Sequence, residues 1–396
     1  MEQASRVKKL GSAIFSEMDK LSKEVKARGV DIINLSIGSP DRPPAPHIVE
    51  ALQAAVADKS IYGYALTQGL DVFKAAVAEW YGKRFNVQLD PQNEVLSLMG
   101  SQDGLGHICL AYLNPGDIAL VPEPGYPIYT ASVMLAGGKK VAVPLQADNN
   151  YLPKLQDIPE KVAREAKLLF LNYPNNPLAA VADYEFFSEV VDFAKEYDLI
   201  VCHDNAYSEL AFDGFRPISF LQVPGAKEVG VEFHSFSKTY NMAGCRIGFV
   251  VGNREVIAAL TAVKANLDYG IYKAVQLAAV AALTGPQDYV RENAAVYARR
   301  RDVLVNGLRD LGWDMPRPKA TMFVWAPLPK GYTDSYAFAV ELLHKTGVVV
   351  VPGIGFGQLG EGYVRIALVE EEERLREAVA RIKASFDFKV TENKPA

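Results

Sequence analysis

The chain has 396 residues, with 42 Lys and Arg against 47 Asp and Glu and a formal net charge of −5. Apolar residues at 49% and charged residues at 22% are the balance of a folded globular chain, which excludes disordered, collagen-like and low-complexity classes. The slight acidic excess offers no basic field for nucleic acid, and at about 150 residues per domain the length predicts two or three domains with a sizeable core.

In chain order, residues 11–28 have helical spacing at Ile14, Met18, Leu21 and Val25, ended by Gly29. Residues 32–35 read as a short strand, and the proline-rich 38–44 as a rigid segment crossing between two bodies. From 46 to about 255, helical stretches at 47–57, 70–85, 102–113, 126–136 and 184–197 alternate with short apolar runs at 95–99, 118–121, 140–144, 168–172, 199–204, 231–235 and 249–251. That alternation predicts an α/β layer with a mainly parallel sheet between helices. A helical region over 254–311, broken near Tyr269-Gly270 and Gly285-Pro286, leads to strands at 322–326 and 363–368, a run at 348–351, and helices at 335–346 and 371–386. The expected organisation is an N-terminal segment 1–45 joining a smaller α+β domain over 286–388, a large domain over 46–285, and a disordered polar tail over 389–396.

Cys109, Cys202 and Cys245 form no C-x-x-C pair, so neither a disulfide framework nor a cysteine zinc site is expected. The N-terminus has no signal-peptide pattern and no run approaches the ~20 apolar residues of a membrane span. These features point to the cytoplasm and away from a membrane. The 5 histidines are scattered, and His107 and His203 read as packed polar residues, so no metal is expected.

Chemistry concentrates in five loops, each following an apolar run. In residues 234–248, HSFSKTYNMAGCRIG, Lys238 lies just beyond a strand end, where apolar surroundings lower an amine pKa and make it a nucleophile. Ser235, Ser237 and Arg246 beside it are residue types that hold phosphate; the plain alternative is a surface loop with a solvated lysine. In 202–207, CHDNAY, Asp204 ends a strand where open α/β sheets place ligands, and a buried carboxylate there needs a cationic partner. A helix cap is the alternative. The turn 172–177, NYPNNP, presents Asn176; Ser101 and Gln102 open a helix as an anion site; and Tyr126 can lay its ring on a flat group, or simply pack in the core. A parallel sheet would bring all five loops to one edge.

On these motifs the chain resembles the fold-type-I, class I pyridoxal-phosphate aminotransferases over nearly its whole length. Within them, residues 235–249 look most like the group of LL-diaminopimelate and alanine-type enzymes. The resemblance implies an aspartate-aminotransferase-like fold and pyridoxal 5′-phosphate as cofactor. Lys238 would form the Schiff base and carry the proton of the 1,3-shift. Asp204 would pair with the pyridine nitrogen, Tyr207 and Asn176 with the ring oxygen, and Tyr126 would stack on the ring. Ser101, Gln102, Ser235, Ser237 and Arg246 would hold the phosphate. Arg365 would bind the substrate α-carboxylate, with Asn176 and the backbone at Gly38 beside it. Tyr64 would reach the phosphate in a second subunit, implying a homodimer with shared sites. Two departures stand out. The usual Asn-Pro-Thr-Gly turn reads Asn176-Pro177-Leu178-Ala179, and loop 64–69 carries no acidic residue to receive a distal ammonium.

Residues 355–360 match G-x-G-x-x-G but precede a predicted strand, not a helix, so the dinucleotide fingerprint lacks its context. Asn34-Leu35-Ser36 is a chance glycosylation triplet in a strand. The expected reaction is transfer of an amino group from an L-amino acid to a 2-oxo acid, with glutamate/2-oxoglutarate as one pair and LL-diaminopimelate or alanine as the other substrate. The alternatives are a pyridoxal-phosphate C–S β-lyase on the same scaffold and a non-enzymatic binding domain that has kept the fold.

Overall fold

The computed structural model describes residues 2–8, 10, 13–65 and 67–388. The expected disordered tail over 389–396 lies outside the described residues, as do residues 11 and 12 of the expected helix 11–28, which here runs Ala13–Ala27. Twelve strands are described: β1 (Ile33–Asn34), β2 (Val95–Leu98), β3 (Ile118–Glu123), β4 (Lys139–Pro144), β5 (Ala166–Asn172), β6 (Ile200–Asp204), β7 (Gly230–Ser235), β8 (Gly248–Gly252), β9 (Phe323–Pro327), β10 (Val348–Val349), β11 (Val351–Pro352) and β12 (Tyr363–Ala367).

Seven of them form the central sheet, in the order β2-β8-β7-β6-β5-β3-β4. β8 runs antiparallel to both neighbours, and every other pairing is parallel. The C-terminal ends of β2, β3, β5, β6 and β7 therefore share one edge, which is where the five chemical loops begin. The strands are short and apolar because both faces are covered. Leu168, Phe170, Cys202 and Val231 are buried on one face, and Leu169, Leu171, Val201 and Phe249 on the other.

The flanking helix Tyr184–Tyr197 shows how local sequence builds this layer. The Asp183 carboxylate accepts from the Phe186 backbone N–H at 2.9 Å and starts the helix. Asp198 ends it in the left-handed conformation, with φ 56°. Phe186, Phe187, Val190, Val191 and Ala194 recur at helical spacing and are buried against the sheet. Each large member contributes roughly 1.5–3 kcal/mol by leaving water, so a charge at Val190 would undo this packing.

The three helices Arg254–Leu267, Lys273–Thr284 and Asp288–Asp310 break where the sequence predicts. A second sheet, β11-β12-β9, is antiparallel and puts Arg365 opposite Trp325 and Val351. β1 pairs in parallel with β10. Met18, Val25, Ile33 and Leu35 share an apolar cluster with Trp313, Phe338, Leu342 and Leu375. The apolar run 348–351 divides between two strands. Val348–Val349 hydrogen-bonds β1 and Val351–Pro352 hydrogen-bonds β12, so the chain changes partner within three residues. No described helix is long and apolar enough to cross a membrane.

Candidate active site

The five loops meet segment 37–39 and β12 around a cavity of about 630 Å³. It is lined by Ser101, Gln102, Tyr126, Asn176, Asp204, Tyr207, Ser235, Ser237, Lys238, Arg246, Gly38 and Arg365. Of the predicted site residues, only Tyr64 stands apart. It is 90% exposed and packs on the Tyr269 ring at 5.6 Å.

Lys238 follows β7 in the one-turn helix Phe236–Thr239, started by the Ser235 hydroxyl accepting from the Ser237 N–H at 3.2 Å. Its Nζ donates to the Gly38 carbonyl at 2.5 Å. Burial, and then the Arg365 and Arg246 guanidiniums, lower its pKa to about 8. Gly38 has to be glycine: a Cβ there would lie 2.5 Å from the Phe323 ring.

Asp204 ends β6 almost fully buried. One carboxylate oxygen accepts from the Tyr129 hydroxyl at 2.8 Å, and the other has no protein partner. Burial raises its pKa to about 6, against the hydrogen bond from Tyr129. An unpartnered buried carboxylate oxygen is costly, and a cationic N–H donor in the cavity is the group that would satisfy it. The Tyr207 phenol is pushed well above its usual pKa, first by burial and then by the Asp204 charge.

The Asn172 side chain stitches the neighbouring turn. Its Oδ1 accepts from the Asn176 N–H and its Nδ2 donates to the Asp204 carbonyl, both at 2.7 Å. Asn176 then points its Oδ1 at Arg365 Nη1, 2.8 Å away. Arg365 Nη2 donates to the Ser36 carbonyl at 2.7 Å, and Nε has no partner. The guanidinium lies against the rings of Phe323 and Phe356, at 4.3 and 4.9 Å. Its burial lowers its pKa to about 10, so it stays cationic near neutrality.

At the other end, Gly100 at φ 76° precedes helix Ser101–Tyr112. A Cβ at Gly100 would lie 2.7 Å from Arg246 Nη2, so the glycine leaves room for the guanidinium beside the helix N-terminus. Free N–H groups, Ser101, Ser235, Ser237 and Arg246 together make an anion cradle. Tyr126 spans the middle, its hydroxyl 3.3 Å from Gln102 Oε1.

Sequence reading missed several residues. Tyr129 is one helical turn after Tyr126, and that spacing was its only signal. Phe323 and Phe15, whose ring meets Phe356 edge-on at 5.5 Å, lie within runs that read as ordinary strand and helix, while Phe356 sits in the glycine-rich segment 355–360 and Asn172 opens the turn 172–177 without a role of its own in that reading. The departing turn is packed in place and carries Asn176 into the cavity. Leu178 is buried with Leu145, Trp325, Val351 and Phe356, and Ala179 takes the left-handed φ of 55° that a glycine would adopt without strain.

The donor set fits pyridoxal phosphate: an amine poised to be neutral, a flat slot under Tyr126, an anion cradle at one end and an orphaned carboxylate oxygen at the other. Comparisons agree with this geometry. The model of the family "Aminotransferase class I and II" matches residues 30–382. The chain is similar to the LL-diaminopimelate aminotransferase of Moorella thermoacetica, 52% identical over 97% of this chain and 98% of that one. It is 50% identical to the enzyme of that name from Halothermothrix orenii, over 97% and 99%. Among solved structures, substrate-bound BacF from Bacillus subtilis superposes with a TM-score of 0.94 at 40% identity, over 99% of this chain and all of that one. A mutant of Thermus thermophilus aspartate aminotransferase superposes at 0.92 with 29% identity, over 98% and 100%. A folded scaffold shared end to end, and a cavity furnished for amino-group transfer, place the chain in the class I and II aminotransferase family, as a transaminase of the aspartate-aminotransferase-like fold.

Proposed function

We propose that the chain is a pyridoxal-phosphate-dependent LL-diaminopimelate aminotransferase that uses glutamate/2-oxoglutarate as its other pair. The observation that carries this reading is identity of about half to curated enzymes of that activity along 97% of the chain. When bound, pyridoxal phosphate supplies the electron sink that lets the substrate Cα–H bond break. Arg365 binds the α-carboxylate with the donors left free by Asn176 and Ser36. Lys238, neutral above about pH 8, holds the cofactor and carries the proton at Cα. Asp204 holds a proton on the ring nitrogen through its unpartnered oxygen. Tyr207 and Asn176 orient the ring oxygen. Ser101, Gln102, Ser235, Ser237 and Arg246 anchor the phosphate.

The working unit is a homodimer in the cytoplasm. Exposed Tyr62, Tyr64, Leu267, Tyr269 and Tyr272 support it, as a group of aromatic and aliphatic side chains left open to solvent. From this face Tyr64 reaches the neighbouring phosphate site. The three free cysteines suit a reducing compartment. Asp204 is the only Asp or Glu among the described residues lining the cavity.

The test is the comparison of kcat/KM for LL-diaminopimelate and L-alanine with 2-oxoglutarate as acceptor. The proposal expects diaminopimelate to exceed alanine by at least tenfold. Equal values, or ammonia and a 2-oxo acid released from a thioether amino acid without an acceptor, would overturn it, the latter in favour of the β-lyase.

A further inference from the structure

On the face of the sheet opposite the Asp204 carboxylate lies a closed polar network that the reaction does not use. Neighbouring residues of a strand point to opposite faces, so His203, next to Asp204, points away from the cavity. Its cross-strand neighbour on β7 is Glu232. Both are fully buried, as are Tyr81, Asn205 and Ser219.

Six polar groups surround the Glu232 carboxylate. Oε1 accepts from Tyr81 Oη at 2.5 Å and Asn205 Nδ2 at 2.9 Å, and lies 2.8 Å from His234 Nε2, which is also 2.7 Å from Tyr81 Oη. Oε2 accepts from His203 Nδ1 at 2.9 Å, Ser219 Oγ at 3.0 Å and the Phe220 N–H at 2.8 Å. Although burial alone would raise its pKa, the bonds from His203 and His234 hold Glu232 well below the usual carboxylate range. His203 has acceptors on both sides: Glu232 at Nδ1 and the Tyr173 carbonyl at Nε2, 3.1 Å away. A carbonyl only accepts, so Nε2 carries a proton, and with Glu232 ionised and accepting, Nδ1 carries the second. The rings of Phe187 and Phe220 pack against the imidazole.

A buried ion pair is weak evidence for stability, since apolar replacements often do as well. This one sits where three catalytic strand ends meet. His203 precedes Asp204, Tyr173 begins the turn carrying Asn176, and β7 runs from Glu232 to Ser235 and Lys238. We propose that the His203–Glu232 ion pair is a positioning element of the active site, holding a fixed imidazolium charge behind Asp204 and locking the Asp204, Asn176 and Lys238 strand ends in register. The charge matters because burial raises the Asp204 pKa to about 6, and the His203 charge is among the influences that lower it. Glu232, Tyr81 and His234 are the titratable groups facing the ring, with Asp204 beyond the strand. The proposal rests on the reading of Asp204 as partner of the pyridine nitrogen.

Selective 15N-histidine NMR of the wild-type chain at pH 7.5, assigned by the signal lost in His203→Gln, reads the ring directly. Two protonated nitrogens on His203 are expected, with and without cofactor. In His203→Gln loaded with pyridoxal phosphate, Asp204 would lose its fixed cation, become the stronger base and draw the shared proton from the ring nitrogen onto itself. The pH midpoint of the visible colour change should then rise by about half a unit or more. With it, kcat should fall about tenfold, one pKa unit's worth, while donor KM holds. A singly protonated His203 in a coloured wild-type protein overturns this proposal alone. A folded, coloured variant with an unmoved midpoint also overturns it. A wild-type chain that takes no colour with pyridoxal phosphate overturns the cofactor reading and this proposal together.

Discussion

Arg365→Lys replaces a planar fork of donors with a point charge in a position whose geometry uses the fork. Guanidinium has five N–H donors. Asn176 and the Ser36 carbonyl take two of them, so 5 − 2 leaves three, including the unpartnered Nε–H, for a substrate carboxylate. An ammonium in the same pocket has three donors in all and cannot form the paired bonds of a fork. It therefore gives up one charge-assisted hydrogen bond to the substrate, worth about 1.5–3 kcal/mol. It also gives up part of the contact with the Phe323 and Phe356 rings, about 0.5–1 kcal/mol each. At 1.4 kcal/mol per tenfold, the bond to the carboxylate alone corresponds to roughly 10- to 100-fold in substrate affinity. The assay is steady-state kinetics with the amino donor varied at saturating 2-oxoglutarate. KM should rise within that range, and kcat should change only a few-fold because Lys238 and Asp204 are untouched. A donor KM within twofold of wild type would refute the reasoning and assign the carboxylate to another group.

Capture of added cofactor by the apoprotein, followed by the growth of visible absorbance, should accelerate as pH rises through about 8 and level off above it. The neutral amine is the nucleophile, and Lys238 loses its proton at that point; a rate that climbs only above pH 10 would mean a solvated lysine. Asp204→Asn should still bind cofactor but lose on the order of 100-fold in kcat, the scale of losing one buried electrostatic partner at a reacting group. An unchanged turnover in a direct assay would remove Asp204 from its role. Ala179→Gly should raise the urea midpoint by the equivalent of about 0.5–1 kcal/mol, the left-handed strain at Ala179 less the entropy a glycine adds to the unfolded chain. A lowered midpoint would show that the Ala179 methyl packs better than its backbone is strained.

The main chemistry was legible because each strand of a parallel sheet delivers its following loop to one edge, so position along the chain already implied position in space. Lys238 and Asp204 follow from that rule, whereas Arg365, on β12 of the antiparallel sheet, was found only through the family resemblance. Tyr129 and Phe323 escaped because a buried aromatic that serves a site looks, in sequence, like one that serves the core. Glu232 was hidden for a related reason: an acid within an apolar strand shows its role only once His203 and Tyr81 are seen beside it. The valine run 348–351 carried no mark of its change of partner, which depends on where β1 and β12 lie. Tyr64 shows the limit of a single chain, since at 90% exposed it would enter a site only through the proposed dimer.

The most direct test of the account is the visible spectrum of the purified protein loaded with pyridoxal phosphate, recorded before and after LL-diaminopimelate with no acceptor present. The account predicts a yellow band that bleaches on adding the amino acid and returns with 2-oxoglutarate, and a Lys238→Ala protein that does not cycle. A band that is indifferent to diaminopimelate, or a Lys238→Ala protein that cycles like wild type, would contradict it.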